Sequence, residues 1–428
     1  MNPFKEKLSL DAIRALQSNR LKKTITHAYN NIPYQKNKLD KAGIHPDDIQ
    51  SIEDIHKLPF TTKEDLRKNY PYGMFAVPMN KIARIHASSG TTGQPTVVGY
   101  TKNDLDVFDE VVARSLYVAG AREGMIMHNA YGYGLFTGGL GIHGGATKLG
   151  MAVIPVSVGM TDRQLTILQE FKPDVICCTP SYAQFLGQEF YKKGIDTKEL
   201  QLKYAVLGAE PWTESIRAQV EADLSVKATN IYGLSEIIGP GVSQESVLEQ
   251  GTGSYIWEDH FFPEVVDKNT GEPLPYGEEG VLVFTTLTKE ALPIMRYWTN
   301  DICSIQYDEN SALPYIKMSK IKGRADDMVI VRGVNLFPTQ IEEVLADVDK
   351  IVPNYQMHVD RKNSLDSICV KCEVKQGVSV EDKLLIKQLQ SQIRAKIGIA
   401  CDVELTEPFS MPESQGGKTQ RIFDVRKI

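Results

Sequence analysis

The sequence predicts a large α/β domain, with parallel sheet, helices and a β-rich subdomain, followed by a small α+β cap. Three observations carry that expectation. Between about Met125 and Glu236, short apolar runs alternate with amphipathic segments. Between about Gly251 and Met318, turn signals separate extended segments. After the stretch KGRADD, the order is strand, helix, strand, strand, helix, strand.

Taken in order, the front of the chain up to about residue 80 reads as helices joined by turns. LSLDAIRALQSNRLKKTITHAYNN places apolar residues at mixed three and four spacing, and a shorter helix is expected in TTKEDLRKNY. In the alternating region, MAVIPVSV, PDVICCTPS and LKYAVLGAE read as strands. TDRQLTILQEF, YAQFLGQEFYKKG and TESIRAQVEADL read as the helices between them. Such βαβα order argues a parallel sheet covered on its faces, with ligands beyond the carboxyl ends of the strands. DKNTGEPLPYGEEG, set between FFPEVVD and VLVFTTLT, makes the next region mostly β. The α+β order after it suits a separate small domain, and a boundary near Asp326 gives domains of 1–325 and 326–428. Within it, SICVKCEVK alternates as a strand, with Ile368, Val370, Cys372 and Val374 on one face and Cys369 on the other. Cys369 and Cys372 form the only CxxC, and with no second pair a plain strand is favoured over a metal or redox site.

Composition bounds the function classes. The 428 residues are 42% hydrophobic and 24% charged, which excludes disorder, collagen-like sequence and coiled coil as descriptions of the whole. A formal net charge of −6 offers no bulk positive field for nucleic acid or an anionic membrane surface. The amino terminus lacks a signal peptide's apolar core, and no run of about 18 apolar residues occurs, so a cytoplasmic enzyme is expected. Six cysteines are too sparse for a disulfide scaffold.

The strongest local motif is Ser88, Ser89, Gly90, Thr91, Thr92 and Gly93. Its glycines permit tight backbone geometry, and its hydroxyls and amides can wrap phosphate oxygens, although the same composition also suits a solvated turn. No lysine follows Gly93, so the GxxxxGK[ST] phosphate loop is absent. A second cluster, Tyr131, Gly132, Tyr133, Gly134 and Phe136, falls between a predicted strand and helix. Flat aromatic walls with small residues between them suit an aryl ring, and aromatic clusters also build cores.

Beyond these local readings, several long segments occur in order: LPFTTKEDLRKNYPYGMFAVP (58–78), SSGTTGQPTVVGYT (88–101), YGYGLFTGG (131–139), GAEPW (208–212), IYGLSE (231–236), WEDHFFPEVVD (257–267), GRADDMVIVRGVNLFPTQIEEVL (323–345) and the terminal GGKTQRIFDVR. Nearly end to end, the chain resembles the adenylate-forming superfamily of acyl-CoA synthetases, and within it the phenylacetate-CoA ligase family. The resemblance implies the adenylate-forming enzyme fold and a two-step reaction. Carboxylate and ATP give an acyl-adenylate and pyrophosphate, and the thiol of coenzyme A then displaces AMP. It implies ATP, Mg²⁺ and coenzyme A as cofactor and co-substrates.

By resemblance, the 88–93 loop holds the β- and γ-phosphates, and Gly208, Ala209, Glu210 and Pro211 line the adenine and acyl sites. Tyr232, followed by Gly233, lies against adenine after a strand, and Glu236 ligates Mg²⁺, where otherwise it would cap a helix. Asp301 accepts from the ribose hydroxyls and Arg324 makes a second ribose or phosphate contact. Lys418 bridges the α-phosphate region and the substrate carboxylate. Asp326 is the hinge about which the small domain turns, and Arg332, Gly333 and Val334 face the pantetheine tunnel. Tyr131, Tyr133, Gly134 and Phe136 form the acyl pocket. Two departures stand out. Thr96 follows Pro95 where many superfamily members carry lysine, and His260 and Cys303 lack the further cysteines of a zinc cluster, so zinc is not expected. The same resemblance leaves open an indoleacetate or benzoate type of acid, loading of a carrier protein in place of free coenzyme A, and a homodimer built on the front helices. A nucleotide-binding module without catalysis and acyl-phosphate chemistry are the competitors from other classes.

Overall fold

The computed structural model describes residues 9–88, 95–325, 329–331, 334–362, 365–411 and 421–426. The chain divides into two compact units, residues 1–209 with 220–320, and residues 210–219 with 321–428.

In the first unit the front of the chain is helical, as the spacing predicts. Leu10–Asn31 starts at Ser9, whose hydroxyl accepts the amide of Ala12, and buries Ile13, Leu21, Ile25 and Ala28. Thr62 and Asp65 form a reciprocal capping box for Lys63–Lys68. The residues just before that helix are tied to the β region. Thr61 donates its amide to Arg296 and its hydroxyl to Met295, and its carbonyl accepts from Trp298. Arg296, 3% exposed, pairs with buried Glu264 at 3.0 Å and lies over the Phe60 ring. Those contacts fix the start of the strand Tyr297–Cys303, which carries Asp301.

The main sheet has nine strands. Ala152–Ile154, Ile126–Asn129, Val175–Cys178, Tyr204–Gly208 and Lys227–Leu234 run parallel in that spatial order, followed by antiparallel Gly239–Glu245, Ser254–Ile256, Lys317–Met318 and Ile305–Gln306. Helices Thr137–Leu149, Thr161–Glu170, Pro180–Lys192 and Glu214–Leu224 connect the parallel strands. The strand Ile126–Asn129 is flanked on one side by the next strand in sequence and on the other by the one after that. This reversal of strand order is a topological switch point, where open α/β sheets bind ligands. A second, antiparallel sheet contains Phe261–Val266, Gly280–Thr286 and Tyr297–Cys303. A separate hairpin pairs Arg84–Ala87 with Val97–Tyr100.

Among the described residues, the second unit has the expected α+β order with three further short strands, Gly323–Arg324, Val334–Leu336 and Ile422–Asp424. Its sheet runs Asp402–Thr406, Leu365–Val374, Ile351–Lys362, Ile422–Asp424, against helices Pro338–Ala346 and Lys383–Ile397. Ile368, Val370, Cys372 and Val374 point into its core with Leu385, Leu389 and Ile393, while Cys369 faces away, half-buried. Among the described residues all six cysteines are free thiols, and no helix is long and apolar enough to cross a membrane.

Candidate active site

The switch point opens directly onto the aromatic and glycine segment. Asn129, the last residue of its strand, is fully buried and organises the turn after it. Its amide donates to the Tyr133 hydroxyl at 2.8 Å and to the Gly139 carbonyl at 2.9 Å, and its oxygen accepts from the Tyr131 amide. The Tyr133 hydroxyl also shares a hydrogen bond with Nδ1 of His143 at 3.1 Å. Burial pushes that phenol up to about 12, so it stays neutral. Tyr131 is buried, whereas Leu135 and Phe136 are exposed at the rim. Helix Thr137–Leu149 begins immediately afterwards, as expected. Asn129 and His143 were not singled out by sequence reasoning. A polar residue closing the apolar strand just before the aromatic run is the one signal that pointed to Asn129.

Two other segments meet this one, and a third joins the second of them. The amide of Ala87 and the ring of His86 both bond the Leu135 carbonyl at 3.0 Å. That anchors the hairpin carrying Ser88, whose amide donates to the Thr96 carbonyl and whose hydroxyl accepts from the Thr96 amide. Ser89, Gly90, Thr91, Thr92 and Gly93 lie outside the described residues. Thr137 and Ser235 join their hydroxyls at 3.1 Å, linking the aromatic segment to the 232–236 turn. Finally, the Tyr232 hydroxyl donates to the Asp301 carboxylate at 2.7 Å across 69 residues of sequence. Two side chains expected at adenine and ribose are thus neighbours.

The backbone near Tyr232 differs from expectation. Tyr232 does not follow the strand but lies within it, because Lys227–Leu234 continues and reverses at Glu236 into Gly239–Glu245. Glu236 therefore sits in a strand-to-strand turn and caps no helix. The register shifts between Tyr232 and Gly233, where a Cβ would lie 1.9 Å from the Gly239 carbonyl oxygen. Gly208 is equally constrained, a Cβ there falling 2.3 Å from the Ile231 carbonyl oxygen. Ala209, next along, adopts φ +71, a left-handed conformation that non-glycine residues hold only where the surroundings enforce it.

The Glu236 side chain is buried, with no hydrogen-bond partner for its carboxylate among the described residues. A hard carboxylate with open lone pairs is the kind of ligand that fits Mg²⁺. Its backbone carbonyl accepts from Nζ of Lys289 at 3.2 Å. Lys289 is 4% exposed, and burial lowers its pKa to about 8 against the opposing pull of Asp104 and Glu236.

The remaining expected residues belong to the second unit. Glu210 and Pro211 fall in its 210–219 segment, Arg324 in the short strand Gly323–Arg324, and Val334 in Val334–Leu336. Asp326, Arg332, Gly333 and Lys418 lie outside the described residues. Just beyond Lys418, the Arg421 carbonyl accepts from the Met357 amide at 2.7 Å and its guanidinium lies over the Tyr355 ring.

A family model for AMP-binding enzymes matches residues 11–288, and one for the AMP-binding enzyme C-terminal domain matches residues 333–426. The phenylacetate-coenzyme A ligase of Thermus thermophilus is 54% identical over 99% of this chain and 99% of its own length. The chain belongs to the phenylacetate-coenzyme A ligase family of AMP-binding enzymes. The family's Aromatoleum evansii phenylacetate-coenzyme A ligase is 50% identical over 98% of this chain and 96% of its own. In fold, this family member is similar to a crystal structure of 2-hydroxyisobutyryl-CoA ligase in the postadenylation state with 2-HIB-AMP. That likeness has a TM-score of 0.90 at 24% identity and covers 99% of this chain and 91% of the other.

One stretch that carries the phenylacetate-coenzyme A ligase resemblance, WEDHFFPEVVD, serves the scaffold. Arg114 donates to both Asp259 oxygens at 2.9 Å and also pairs with Glu110. His260 lies 3.3 Å from the same Asp259 carboxylate and bonds Thr288 at 2.9 Å. Burial alone would raise the Asp259 carboxyl, but the His260 and Arg114 charges outweigh it and hold it low. Glu110, Asp259 and His260 are spaced closely enough to hold a metal ion, yet the Arg114 guanidinium already supplies the cation. Cys303 is buried in its strand, and burial pushes its thiol up.

Proposed function

We propose that the chain is a phenylacetate-coenzyme A ligase, an AMP-forming acid–thiol ligase that converts phenylacetate, ATP and coenzyme A into phenylacetyl-CoA, AMP and diphosphate. The observation that carries this reading is full-length identity of about half with phenylacetate-coenzyme A ligases, 54% with the Thermus thermophilus enzyme. The meeting of the phosphate hairpin, the aromatic segment and the Tyr232–Asp301 pair at the sheet's switch point supports it.

In the first step a carboxylate oxygen of phenylacetate attacks the α-phosphorus of ATP, and the bond to the β-phosphate oxygen breaks. A carboxylate is a poor electrophile, and AMP supplies a leaving group whose charge the site can stabilise. Ser88 to Gly93 hold the departing phosphates. Tyr232, Gly233, Gly208, Ala209, Glu210 and Pro211 take the adenosine side, Asp301 the ribose, and Arg324 the ribose or α-phosphate. Glu236 would hold Mg²⁺, which would neutralise phosphate charge when bound. Lys418 offsets the charge growing between carboxylate and α-phosphate. In the second step the coenzyme A sulfur attacks the acyl carbonyl and AMP leaves with the bonding pair. We assign the body to 1–325 and the mobile part to 326–428, turning at Asp326, with Arg332, Gly333 and Val334 along the thiol's approach. Cytoplasmic action on small molecules follows from the same reading.

Phenylacetate with ATP, Mg²⁺ and free coenzyme A is expected to release AMP and form a thioester, read by coupled AMP release and thioester absorbance. ADP release, or a requirement for a carrier protein, would reject the assignment. Tyr131, Tyr133, Gly134 and Phe136 form the acyl wall in this reading, and Tyr133 is held from behind by Asn129 and His143. Tyr133→Ala is expected to change the ratio of kcat/KM values between phenylacetate and benzoate by about tenfold, as loss of a packed aromatic wall should. KM for ATP should stay within about twofold. An effect confined to ATP would remove Tyr133 from the acyl pocket.

A further inference from the structure

Lys289 is a buried cation that none of the sequence motifs announces. It lies just beyond the strand Gly280–Thr286, in a segment whose backbone is clamped on both sides. Asp104 accepts the amides of Glu290 at 2.6 Å and Ala291 at 2.9 Å, together with that of Thr101. Thr101 and Asn103 bond the two oxygens of the Glu290 side chain. Lys289 therefore projects from a fixed base.

Burying an ammonium costs several kcal/mol unless it is solvated by protein groups. Here Nζ finds the Glu236 carbonyl at 3.2 Å and the face of Tyr100 at 4.8 Å. Tyr100 closes the strand that leads back to the Ser88–Thr96 hairpin, and its hydroxyl donates to Ile238 at 2.8 Å, just past the Glu236 turn. The ammonium thus stands where the phosphate hairpin and the Glu236 turn are held together. The buried carboxylates of Asp104 and Glu236 both favour the charge on this ammonium.

We infer that Lys289 is a positioning residue for Glu236, gripping its carbonyl so that the carboxylate is aimed for Mg²⁺ and the nucleotide phosphates. This rests on the proposed role of Glu236. The hydrogen bond fixes the turn, and the charge on Nζ adds a positive field behind the phosphate hairpin, where Thr96 supplies none.

The test uses the full chain with a non-hydrolysable ATP analogue and no acid, so that binding is read without turnover. Mg²⁺ affinity for the analogue complex is measured by calorimetry for wild type, Lys289→Met and Lys289→Gln, with thermal unfolding of each. Loss of the donor that holds the Glu236 turn in Lys289→Met is expected to weaken Mg²⁺ binding about tenfold, and Lys289→Gln, which keeps a neutral donor, about threefold. Phenylacetate KM should move less than twofold in both. Unchanged Mg²⁺ affinity in a folded Lys289→Met overturns the inference, as does an equal loss of Mg²⁺ and phenylacetate affinity. If Lys289→Met does not fold, Lys289→Gln decides by the same measurement, and wild-type affinity there overturns it. Wild type that binds the analogue with no Mg²⁺ dependence would instead refute the Glu236 assignment itself.

Discussion

Lys418→Ala is expected to lower acyl-adenylate formation by roughly 10²-fold or more, while thioester formation from supplied phenylacetyl-adenylate and coenzyme A stays near the wild-type rate. A fixed cation aimed at charge that appears only in the transition state contributes about 3 kcal/mol, which is a factor of about a hundred in rate. Adenylation develops charge between a carboxylate and an α-phosphate. In thioesterification the phosphate is already an ester of the acid, and charge moves to the leaving AMP. In sequence, Lys418 lies in the stretch matched by the AMP-binding enzyme C-terminal domain model, whereas Tyr232 and Glu236 lie in the stretch matched by the AMP-binding enzyme model. The segment just after Lys418 is fixed by Arg421 and by the strand Ile422–Asp424, so the substitution should leave the second unit's core intact. Pyrophosphate exchange reads the first step, and thioester absorbance with synthetic adenylate reads the second. Equal losses in both would contradict a lysine that serves only one of them.

The range of each interaction decided whether the sequence disclosed it. Helices and parallel strands were legible because each announces itself within a dozen residues: Thr62 and Asp65 in a capping box, apolar spacing in Leu10–Asn31, and alternation in Leu365–Val374. The strand–helix order placed Tyr131–Phe136 at a strand end, but the reversal of strand order there shows only in the strand pairing. Three features had no local signature. Lys289 reads as an ordinary charge in LTKEAL until the fold lays it over Tyr100 and beneath Glu236. The Arg114–Asp259 pair joins residues 145 apart, so nothing local in WEDH disclosed that it is a buried tie. Lys227–Leu234 extends past Tyr232 because Gly239–Glu245 returns along it, and pairing partners rather than propensity set where a strand ends.

That return strand makes Gly233 the site of the second large effect, and Gly233→Ala is expected to damage adenylation about as severely as losing a substrate contact. A Cβ at Gly233 would meet the Gly239 carbonyl oxygen at 1.9 Å, its carbon at 2.7 Å and the Pro240 Cα at 2.8 Å. All three are backbone atoms, so no side chain can rotate away. Relief requires the two strands to part at the register shift between Tyr232 and Gly233. On one side of that point the Tyr232 hydroxyl would draw away from Asp301; on the other the Glu236 turn would move relative to Lys289. Overpacking of this kind costs about 1–3 kcal/mol in stability. A displacement of about 1 Å in groups that position reactants can cost about 10²-fold in rate. The expected outcome is a folded enzyme with a Tm lowered by a few degrees and kcat/KM for ATP lowered about a hundredfold. Phenylacetate KM at saturating ATP should change little, because Asn129, Tyr133 and His143 lie on a different strand end and helix. Wild-type kinetics with ATP in a folded Gly233→Ala would mean that the bulge opens without moving Tyr232 or Glu236. Nucleotide recognition would then have to rest on other residues.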